Sequence, residues 1–378
     1  MAKLGDICEL VNGHAFKPSD WSNEGLPIIR IQNLNDATAT FNYYNGEIDS
    51  KYIVNNGDLL FSWSGTPGTS FGAFFWSRGK GVLNQHIFNV YPKSDVSKAY
   101  LRYALNGSLN KIIDRAHGGV GLQHITKKEL CEIEISVLSE EKQKKIVTIL
   151  ESVDKMISFR KQQLEKLDEL VKARFVELFG DPVYNQMNWD TDAVENLCAE
   201  IYGGGTPSKA HSEYYEDGDI PWVSSKDMKT DVLYDSQIRI NQLGVENSTA
   251  KMVPINSVIM VIRSGILKHT LPVAINAVPI TVNQDLKVFI PNERVLSLFL
   301  MYQFKMLEKD ILSGVRAVTA DNIEFSSLKE RKIIVPPIEL QEQFVSFVEQ
   351  TDKSKLTIQQ SLDTLEVLKK SLMQKYFG

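Results

Sequence analysis

The segment EKQKKIVTILESVDKMISFRKQQLEKLDELVKARFVEL, residues 141–178, determines how the rest of the chain can be organised. It contains no glycine or proline, and an aliphatic residue recurs at every seventh position from Leu150 onward. Such a repeat predicts a long helix whose apolar seam needs another helix as its partner. At about 1.5 Å per residue the helix would be roughly 57 Å long, which exceeds the core of one small domain.

A second helix of the same kind is predicted for residues 340–376. Cations interrupt both seams: Arg160 and Arg174 in the first helix, Lys355 and Lys369 in the second. Because they fall at different heptad phases, neither helix suits a copy of itself, and we expect the two to pair antiparallel within one chain. Pairing between two chains is the alternative. The residues predicted to form the seam are Leu150, Ile157, Leu164, Val171, Leu178, Phe344, Val348, Leu362, Leu365 and Leu372.

The whole chain repeats itself at an offset of about 190 to 200 positions. Six pairs of short segments fall into register in the same order, which chance would not produce. The protein is therefore a tandem duplication of one unit. The clearest matches are Pro27-Ile28-Ile29 with Pro221-Trp222-Val223, Asn84-Gln85 with Asn283-Gln284, and Leu178-Phe179-Gly180 with Tyr376-Phe377-Gly378.

Each long helix is preceded by short apolar runs bounded by Gly, Pro and Asn, which are typical of strands. Residues 101–109 and 295–307 are predicted as helices that pack against them. The predicted fold class is α+β: a tandem pseudo-two-fold repeat of an α/β domain followed by a long helix, with the two helices forming an antiparallel coiled coil. We assign residues 1–140 to a first head, 141–180 to its helix, 181–338 to a second head and 339–378 to the closing helix.

The composition excludes several classes of protein. Lys and Arg total 42 against 47 Asp and Glu, a net charge of −5, so the chain does not coat nucleic acid by charge alone. The three cysteines have no CxxC spacing, which argues against a disulfide framework and a thiolate zinc site. No apolar run approaches the ~18 residues of a membrane span, so we expect a cytoplasmic protein with no membrane partner.

No catalytic motif stands out. Phosphate-binding loops, the GxSxG elbow and HExxH do not occur in the sequence. Asp181-Pro182-Val183-Tyr184 resembles a methyltransferase loop, but it follows a glycine at a helix end and is more typical of a turn. Glu330-x-Lys332 matches half of a nuclease signature and is more typical of a solvated strand edge. The repeat does not preserve His14 or His86, so neither is a catalytic group common to both copies.

Polar loops recur at matched points of the two copies, and they carry side chains that suit DNA. Asn, Gln, Arg and Lys bond base edges or hold phosphates. Dyad-related DNA readers place their contacts about 34 Å apart or at multiples of that distance, and two heads on long helices suit this geometry. Any one loop is more often only a polar loop, and the recurrence favours function. The candidates are His14, Lys17, Arg30, Gln32, Asn33, Ser64, Thr66, Thr69, His117, Gln123, His124, Thr206, Ser208, Lys209, Lys226, Arg263, Lys268 and Arg316.

The order of these segments resembles the specificity subunit of type I restriction–modification systems. The resemblance covers the whole chain, and no single motif carries it alone. The first copy departs from the pattern, with His14-Ala15-Phe16 in place of a Gly-Gly-Thr-Pro loop, which bears on its target rather than on its role. The segments that carry the resemblance in the second copy are Gly204–Lys209, Asp219–Ser224, Val282–Gln284, Val335–Pro337 with Glu339 and Gln341, and Tyr376–Gly378.

The resemblance implies a non-catalytic subunit with two target-recognition domains, each of which reads one half of a split target in double-stranded DNA. It implies no cofactor in this chain. Methylation subunits, two per chain, would use S-adenosylmethionine, and restriction motor–nuclease subunits would use ATP and magnesium. From the residues alone, two alternatives stay open: a free-standing DNA methyltransferase or nuclease, and a coiled-coil scaffold with two protein-binding heads.

Overall fold

The computed structural model describes residues 1–66, 68–93, 95–119, 122–314, 316–317 and 321–378, with the backbone alone for residues 316, 317 and 321. These residues form two compact units. Unit 1 comprises residues 1–162 and 359–378, and unit 2 comprises residues 163–358. Each unit combines strands with helices, which confirms the α+β class. The four domain ranges assigned from the sequence stay a prediction.

The first head contains short strands and helices that lead into one long helix. Its strands are β1 (Ala2–Lys3), β2 (Cys8–Asn12), β3 (Leu26–Ile29), β4 (Asn42–Tyr44), β5 (Ile53–Val54), β6 (Leu59–Ser62), β7 (Ser64–Gly65), β8 (Gly72–Phe75), β9 (Gly81–Leu83), β10 (Ile87–Pro92), β11 (His117–Gly119), β12 (Leu122–His124) and β13 (Glu134–Ile135). Its helices are α1 (Leu4–Ile7), α2 (Ile31–Asn35), α3 (Lys98–Gly107), α4 (Leu109–Ile113) and α5 (Lys127–Cys131), and the long helix is α6 (Glu140–Phe179).

The second head repeats this order. Its strands are β14 (Thr191–Ala193), β15 (Cys198–Gly203), β16 (Ile220–Val223), β17 (Val232–Leu233), β18 (Arg239–Ile240), β19 (Val258–Val261), β20 (Val273–Asn276), β21 (Thr281–Val282), β22 (Leu286–Pro291), β23 (Arg316–Ala317), β24 (Asp321–Asn322) and β25 (Lys332–Ile334). Its helices are α7 (Gln242–Glu246), α8 (Ser297–Met306), α9 (Glu308–Ser313) and α10 (Phe325–Glu330), and the closing helix is α11 (Ile338–Phe377).

Each head is built around a sheet with the same strand order. The antiparallel order is β2–β10–β6–β8 in the first head and β15–β22–β19–β20 in the second, where β17 adds in parallel to β20. A second sheet in each head contains a parallel pair, β3 with β9 and β16 with β21. Ile28 lies opposite Val82 in the first of these pairs, and Trp222 lies opposite Thr281 in the other. The repeat in the sequence is therefore also a repeat of strand register.

Each unit buries parts of both long helices in its core. In unit 1, Leu150 of α6 and Phe377 of α11 join the core of the first head, where the rings of Phe377 and Tyr100 lie 5.4 Å apart. In unit 2, Phe179 of α6 joins the core of the second head, with its ring 4.9 Å from that of Phe299. Burial of a phenylalanine removes a large apolar surface from water, so these two residues anchor the ends of the helices.

The two long helices are confirmed to within two residues at each end. The seam prediction holds in part: Leu150, Val171, Phe344, Val348 and Leu362 are buried, and Ile157, Leu164, Leu178, Leu365 and Leu372 are half-buried. Ile157, Leu164 and Leu365 belong to neither core and keep part of their surface exposed, whereas Leu178 and Leu372 pack at the edges of the two cores. The seven-residue count also missed three buried phenylalanines, Phe175, Phe179 and Phe377.

The predicted antiparallel pairing is found inside unit 1. The ammonium of Lys369 lies 2.7 Å from a carboxylate oxygen of Asp154, and Arg160 Nε donates to Ser361 Oγ at 3.1 Å. Residue numbers rise along α6 as they fall along α11, which defines antiparallel segments. Two of the cations that interrupt the seams, Arg160 and Lys369, are therefore partnered across the helix pair.

Unit 2 shows the same arrangement. Lys355 Nζ lies 2.6 Å from Asp168 Oδ1, and the rings of Phe175 and Phe344 lie 5.4 Å apart. Burial alone would lower the pKa of Lys355, but its hydrogen bond and charge interactions with Asp168, supported by Asp352, outweigh burial and raise it. The lysine therefore stays charged in the helix interface.

One buried glutamine near the start of each long helix ties that helix to its own head. Each side-chain amide donates to two backbone carbonyls and accepts from one backbone N–H, so burial leaves none of these groups unpaired. The two glutamines occupy equivalent positions in the repeat. Gln143 bonds to Asp95, Leu138 and Ser97 at 2.8 to 3.1 Å, and Gln341 bonds to Arg294, Pro336 and Leu296 at 2.9 to 3.0 Å.

Replacing Leu362 with Asp should lower the free energy of unfolding by about 3–5 kcal/mol, because a charge at that buried position has no partner. Leu362 is 5% exposed, whereas Leu356 on the same helix is 61% exposed, so Leu356→Asp is the matched control. Leu164→Asp should fall between the two, since that side chain is half-buried. Urea unfolding followed by circular dichroism measures the three losses. Equal losses at Leu362 and Leu356 would contradict the pairing.

Candidate nucleic-acid interface

Both heads contain a tight crossing of the backbone at the same place in the repeat. The loop after β2 brings Gly13 against the carbonyl of Asn84, and the loop after β15 brings Gly204 against the carbonyl of Val282. A side chain at either glycine would overlap these backbone atoms, so only glycine fits. The crossing fixes the position of the loop between β9 and β10 in the first head and between β21 and β22 in the second. This crossed loop comprises residues 84–86 in the first head and 283–285 in the second.

The residues that follow the two glycines are equivalent in structure and different in chemistry. The N–H of His14 donates to the carbonyl of Leu83 at 2.7 Å, and the N–H of Gly205 donates to the carbonyl of Val282 at 3.0 Å. The His14 ring lies 4.8 Å from the Phe16 ring. The first head therefore presents an imidazole where the second head has no side chain.

The crossed loop carries the repeated Asn-Gln pair and then a residue that differs between the copies. The N–H of Asn84 donates to the carbonyl of Ile29 at the end of β3 at 3.1 Å, and the N–H of Asn283 makes the equivalent bond to the end of β16 at 2.9 Å. The third position of the loop is His86 in the first head and Asp285 in the second. The backbone thus holds two different side chains at the same place.

In the first head, the exposed side chains of His86 and His124 and the buried Ser64 lie on or beside this loop. Strand β7 pairs with β12 and places Ser64 opposite His124, while the N–H of Trp63 donates to the carbonyl of His86 at 3.3 Å. The rings of Trp63 and His86 lie 5.3 Å apart. Partial burial, and secondarily the neighbouring His124, lower the pKa of His86. The His86 imidazole is therefore neutral near pH 7, with one nitrogen that donates and one that accepts.

In the second head, the equivalent place holds an oriented arginine. Arg263 Nε and Nη2 lie 2.7 and 2.6 Å from Asp285 Oδ1, and Asn283 Nδ2 donates to Asp285 Oδ2 at 3.3 Å. The N–H of Ile262 donates to the carbonyl of Asp285 at 2.9 Å, and Arg263 lies opposite Asn322 in an antiparallel bridge. The Arg263 side chain is half-exposed, so its guanidinium is both oriented and accessible.

A cleft of about 360 Å³ adjoins the crossed loop of the first head, and it contains two of the candidates. Arg30 and Gln32 line it together with Gln85 of the loop. Arg30 Nη1 donates to Asn42 Oδ1 at 2.9 Å, and its guanidinium lies 5.5 Å from the centre of the Trp21 ring. The cleft therefore combines hydrogen-bond donors with an aromatic face, which suits an extended polar ligand.

The Gly-Gly-Thr-Pro loop of the second head is held against its crossed loop. Thr206 Oγ1 donates to Gln284 Oε1, and the Tyr215 hydroxyl donates to the carbonyl of Pro207 at 2.7 Å. Trp222 Nε1 donates to the carbonyl of Gly205 at 2.9 Å. The loop is thus anchored at three points while its tip, with Ser208 and Lys209, is exposed.

The remaining candidates lie outside these clusters or at their edges. Asn33 is buried, and its amide bonds to the carbonyls of Ala39 and Thr40 and to the N–H of Arg30, so it holds its own loop. Gln123 is half-buried on β12, and the side chain of Arg316 lies outside the described residues. The candidates on the exposed surface are Lys17, Thr66, Thr69, Lys226 and Lys268.

The side chain of His117 belongs to a local hydrogen-bonded pair with Glu129. Its Nε2 lies 2.5 Å from Glu129 Oε1. A hydrogen bond from the Thr126 side chain, followed by one from His117, lowers the pKa of Glu129 to about 2. The pair joins the β11–β12 hairpin to the start of α5.

The candidates from the sequence omitted Gln85, His86, Asp285 and Asn322. The repeated Asn-Gln pair was the available signal for the first three, since they lie on or beside it. Asn322 has no such signal, because its position opposite Arg263 depends on strand pairing between distant parts of the chain. The Asp181–Tyr184 segment is confirmed as a turn, with Asp181 Oδ1 accepting from the N–H of Val183 at 2.8 Å.

Neither a metal-binding cluster nor a membrane-spanning helix is found in the part of the chain that the structure describes. It holds no group of three or more His, Cys, Asp or Glu residues arranged to bind a metal ion. Within those same residues, no helix combines the length and the apolarity that crossing a membrane requires.

The family model for the "Type I restriction modification DNA specificity domain" matches residues 1–169 and 188–367. The chain belongs to this family. Each matched range contains one head and most of the long helix that follows it, so the duplication in the sequence is a duplication of the specificity domain. The repeated crossed loop lies inside both ranges.

Individual relatives agree with this assignment. The type I restriction enzyme EcoR124I/EcoR124II specificity subunit of Escherichia coli is 38% identical over 153 residues, which are 40% of this chain and 38% of that relative. The MjaIX specificity subunit of Methanocaldococcus jannaschii is 26% identical over 315 residues, 78% of this chain and 71% of that relative. The chain thus spans well under half of the first relative's length in the matched region.

Solved structures show the same fold. The S subunit of a type I restriction–modification system from M. genitalium has a TM-score of 0.58 at 15% identity, covering 100% of this chain and 95% of that chain. A chain from "Structural basis underlying complex assembly and conformational transition of the type I R-M system" has a TM-score of 0.58 at 16% identity, covering 100% and 96%. At these identities the likeness concerns the fold alone.

Replacing Gly204 with Ala should lower the free energy of unfolding by about 1–3 kcal/mol, because the new methyl group overlaps the carbonyl of Val282 and forces the crossed loop to shift. Gly265→Ala in the same head is the control, since nothing lies within 4 Å of a methyl group placed there. Thermal unfolding of the two variants measures the difference. A tolerated Gly204→Ala beside an unchanged Gly265→Ala would refute the close crossing.

Proposed function

We propose that this specificity-family chain is a DNA sequence-recognition subunit that reads a split target in double-stranded DNA, with one half-site for each head. The observation that carries the proposal is the crossed loop, whose backbone arrangement is present in both heads while side chains on and beside it differ. A repeated backbone lets both heads approach the duplex in the same way. Different side chains at the same places let each head read a different sequence.

The catalytic steps belong to partners in this proposal. Methylation subunits, two per chain, bind S-adenosylmethionine and modify adenine, and restriction subunits use ATP and magnesium to move along and cut DNA. Support comes from the relatives, which are named specificity subunits, and from a similar chain whose description concerns assembly of the type I system. In this proposal the assembly acts on double-stranded DNA, and the chain is located in the cytoplasm.

Affinity is also divided between this chain and its partners. The net charge of −5 means that release of counterions on DNA binding contributes little when the chain is alone. Exposed cations such as Lys17 and Lys209 supply only a few phosphate contacts. Partners that wrap the duplex therefore supply most of the phosphate contacts, while the heads supply the selection of sequence.

Exchanging residues 1–140 for the corresponding head of a related specificity subunit should change one half of the methylated sequence and leave the other half and the gap unchanged. The reason is that each head has its own core and its own crossed loop. Mapping methylated adenines in cells that carry the chimera with its methylation partner measures both halves at once. The matched control is exchange of residues 181–338, which should change the opposite half.

Three measurements separate the alternatives: the methylation map of the chimera, activity assays of the purified chain, and DNA protection by the chain with its partner. If both halves changed together, the assignment of one head to one half-site would be wrong. Methylation or cleavage by the purified chain alone, supplied with S-adenosylmethionine or with magnesium, would favour a free-standing enzyme. If the chain with its partner protected no DNA, the scaffold alternative would stand.

Adding methylation subunits should tighten sequence-specific binding by orders of magnitude and steepen its dependence on salt, because each additional phosphate contact raises the slope by about 0.9 in log–log form. A salt-titrated binding curve of the chain with and without its partner measures both effects. Lys209→Ala within the complex should weaken binding to every sequence alike and lower the slope by about 1. Nanomolar specific binding by the isolated chain at physiological salt would overturn this division.

A further inference from the structure

We infer that bases are selected in each head at three equivalent positions: Arg263, Asp285 and Asn322 in the second head, and in the first head the exposed His86 and His124 beside Ser64, which is buried. The inference rests on the proposed function and names the side chains that perform it. It also commits to one base pair: Arg263, oriented by Asp285, reads a guanine in the half-site of the second head.

The equivalence of the three positions follows from backbone hydrogen bonds. The residue before the first position is Trp63 in the first head and Ile262 in the second. Its N–H donates to the backbone carbonyl of the residue at the second position, which is His86 or Asp285 respectively. In both heads the residue at the first position lies opposite the residue at the third position in an antiparallel bridge. The residue after the third position also donates back to the same strand in both heads, at 3.2 Å in the first and 2.9 Å in the second. The bridging pairs are Ser64 with His124 and Arg263 with Asn322.

The surroundings of the three positions are conserved between the heads, whereas the three side chains are not. The asparagine two residues before the second position bonds to the end of the parallel strand in both copies. The side chains at the three positions are hydroxyl, imidazole and imidazole in one head, and guanidinium, carboxylate and amide in the other. A scaffold that stays the same while its polar side chains vary is the arrangement that selection among base edges requires.

Arg263 is built to recognise a guanine. Its Nε and Nη2 both bond to Asp285 Oδ1, while Asn283 donates to the other oxygen of that carboxylate. The contacts from Asn283 through Asp285 fix the plane of the guanidinium. Only some of its five N–H donors bond to the carboxylate, so the others remain for a ligand. A guanidinium in a fixed plane matches the O6 and N7 acceptors of guanine in the major groove. Asp285 acts through Arg263, and it is therefore a positioning residue.

The first head offers a single ring in place of that fork. His86 packs against Trp63 and bonds through Nε2 to the Gln85 amide at 3.2 Å, so its ring is also held in place. One imidazole nitrogen makes one hydrogen bond and cannot make the bidentate contact of an arginine. The first head therefore selects its base pair by a different contact from the second, and the two half-sites differ at the equivalent place.

The test uses the full chain with its methylation subunits and a library of duplexes in which both half-sites are randomised, at constant salt. Arg263→Ala should reduce discrimination at one G·C pair of the second half-site by about 10- to 100-fold. Asp285→Asn should reduce discrimination at that same pair, and His86→Ala should act on the first half-site only. The salt slope should stay unchanged in all three, since no phosphate contact is lost.

Arg239→Ala is the matched control. Arg239 makes an exposed ion pair with Asp235 in the same head, with Nε and Nη2 at 3.0 and 2.7 Å from the carboxylate. It lies on β18, on the far side of β16 from the strand that leads into the crossed loop. This variant loses the same kind of ion pair and should keep the full sequence preference.

The possible results separate this inference from the proposed function. If the unaltered complex selects no split sequence, the proposed function fails. If it does select one, but Arg263→Ala lowers the melting temperature and leaves the selected sequence unchanged, the ion pair is structural and the inference is wrong. Loss of preference at a base pair other than G·C would overturn the assignment of guanine. Equal loss in Arg239→Ala would show that any surface ion pair of this head has the same effect.

Discussion

The structure depends on the burial of the two long helices. Each helix is 40 residues long and carries an apolar seam that its own head can cover only in part. Unit 2 covers one end of α6 with a cluster of phenylalanines, Phe175, Phe179, Phe299 and Phe344, all without measurable exposure. Unit 1 covers the end of α11 through Phe377. The phenylalanines of the repeated Phe-Gly ends, Phe179 and Phe377, are thus core residues, and the duplication supplies two places to bury them.

Charges in the helix interface act with this packing rather than against it. A lysine in an apolar seam would be costly if it were alone, because burial disfavours its charged form. Lys355 and Lys369 each lie close to an aspartate of the other helix, Asp168 and Asp154. A helix paired with a copy of itself would not bring these groups together. The charges therefore specify the partner and the direction of pairing, while the apolar seam supplies most of the stability.

The heads show how one backbone can hold different chemistry. Glycines at the two crossings leave room for the crossed loops, and the loops fix where the next side chains stand. Substitution at His86, His124, Arg263 or Asn322 leaves the sheet order and the core unchanged, because these side chains are exposed, whereas Ser64 beside them is buried. A recognition module of this kind can change its target without refolding, and the acidic net charge keeps the remaining affinity dependent on partners.

The sequence by itself determined the duplication, both long helices, their antiparallel pairing and the α+β class, because heptad seams and repeated segments are local patterns that survive in one dimension. It also pointed to the loops that hold Arg30, Thr206 and Arg263. Only the tertiary structure decided that Asn33 is a buried support, that Asp285 orients Arg263, and that His86 stands beside Ser64 and His124. These relations depend on pairing between strands that are distant in the chain, and the side-chain pattern of a short loop does not encode its partner.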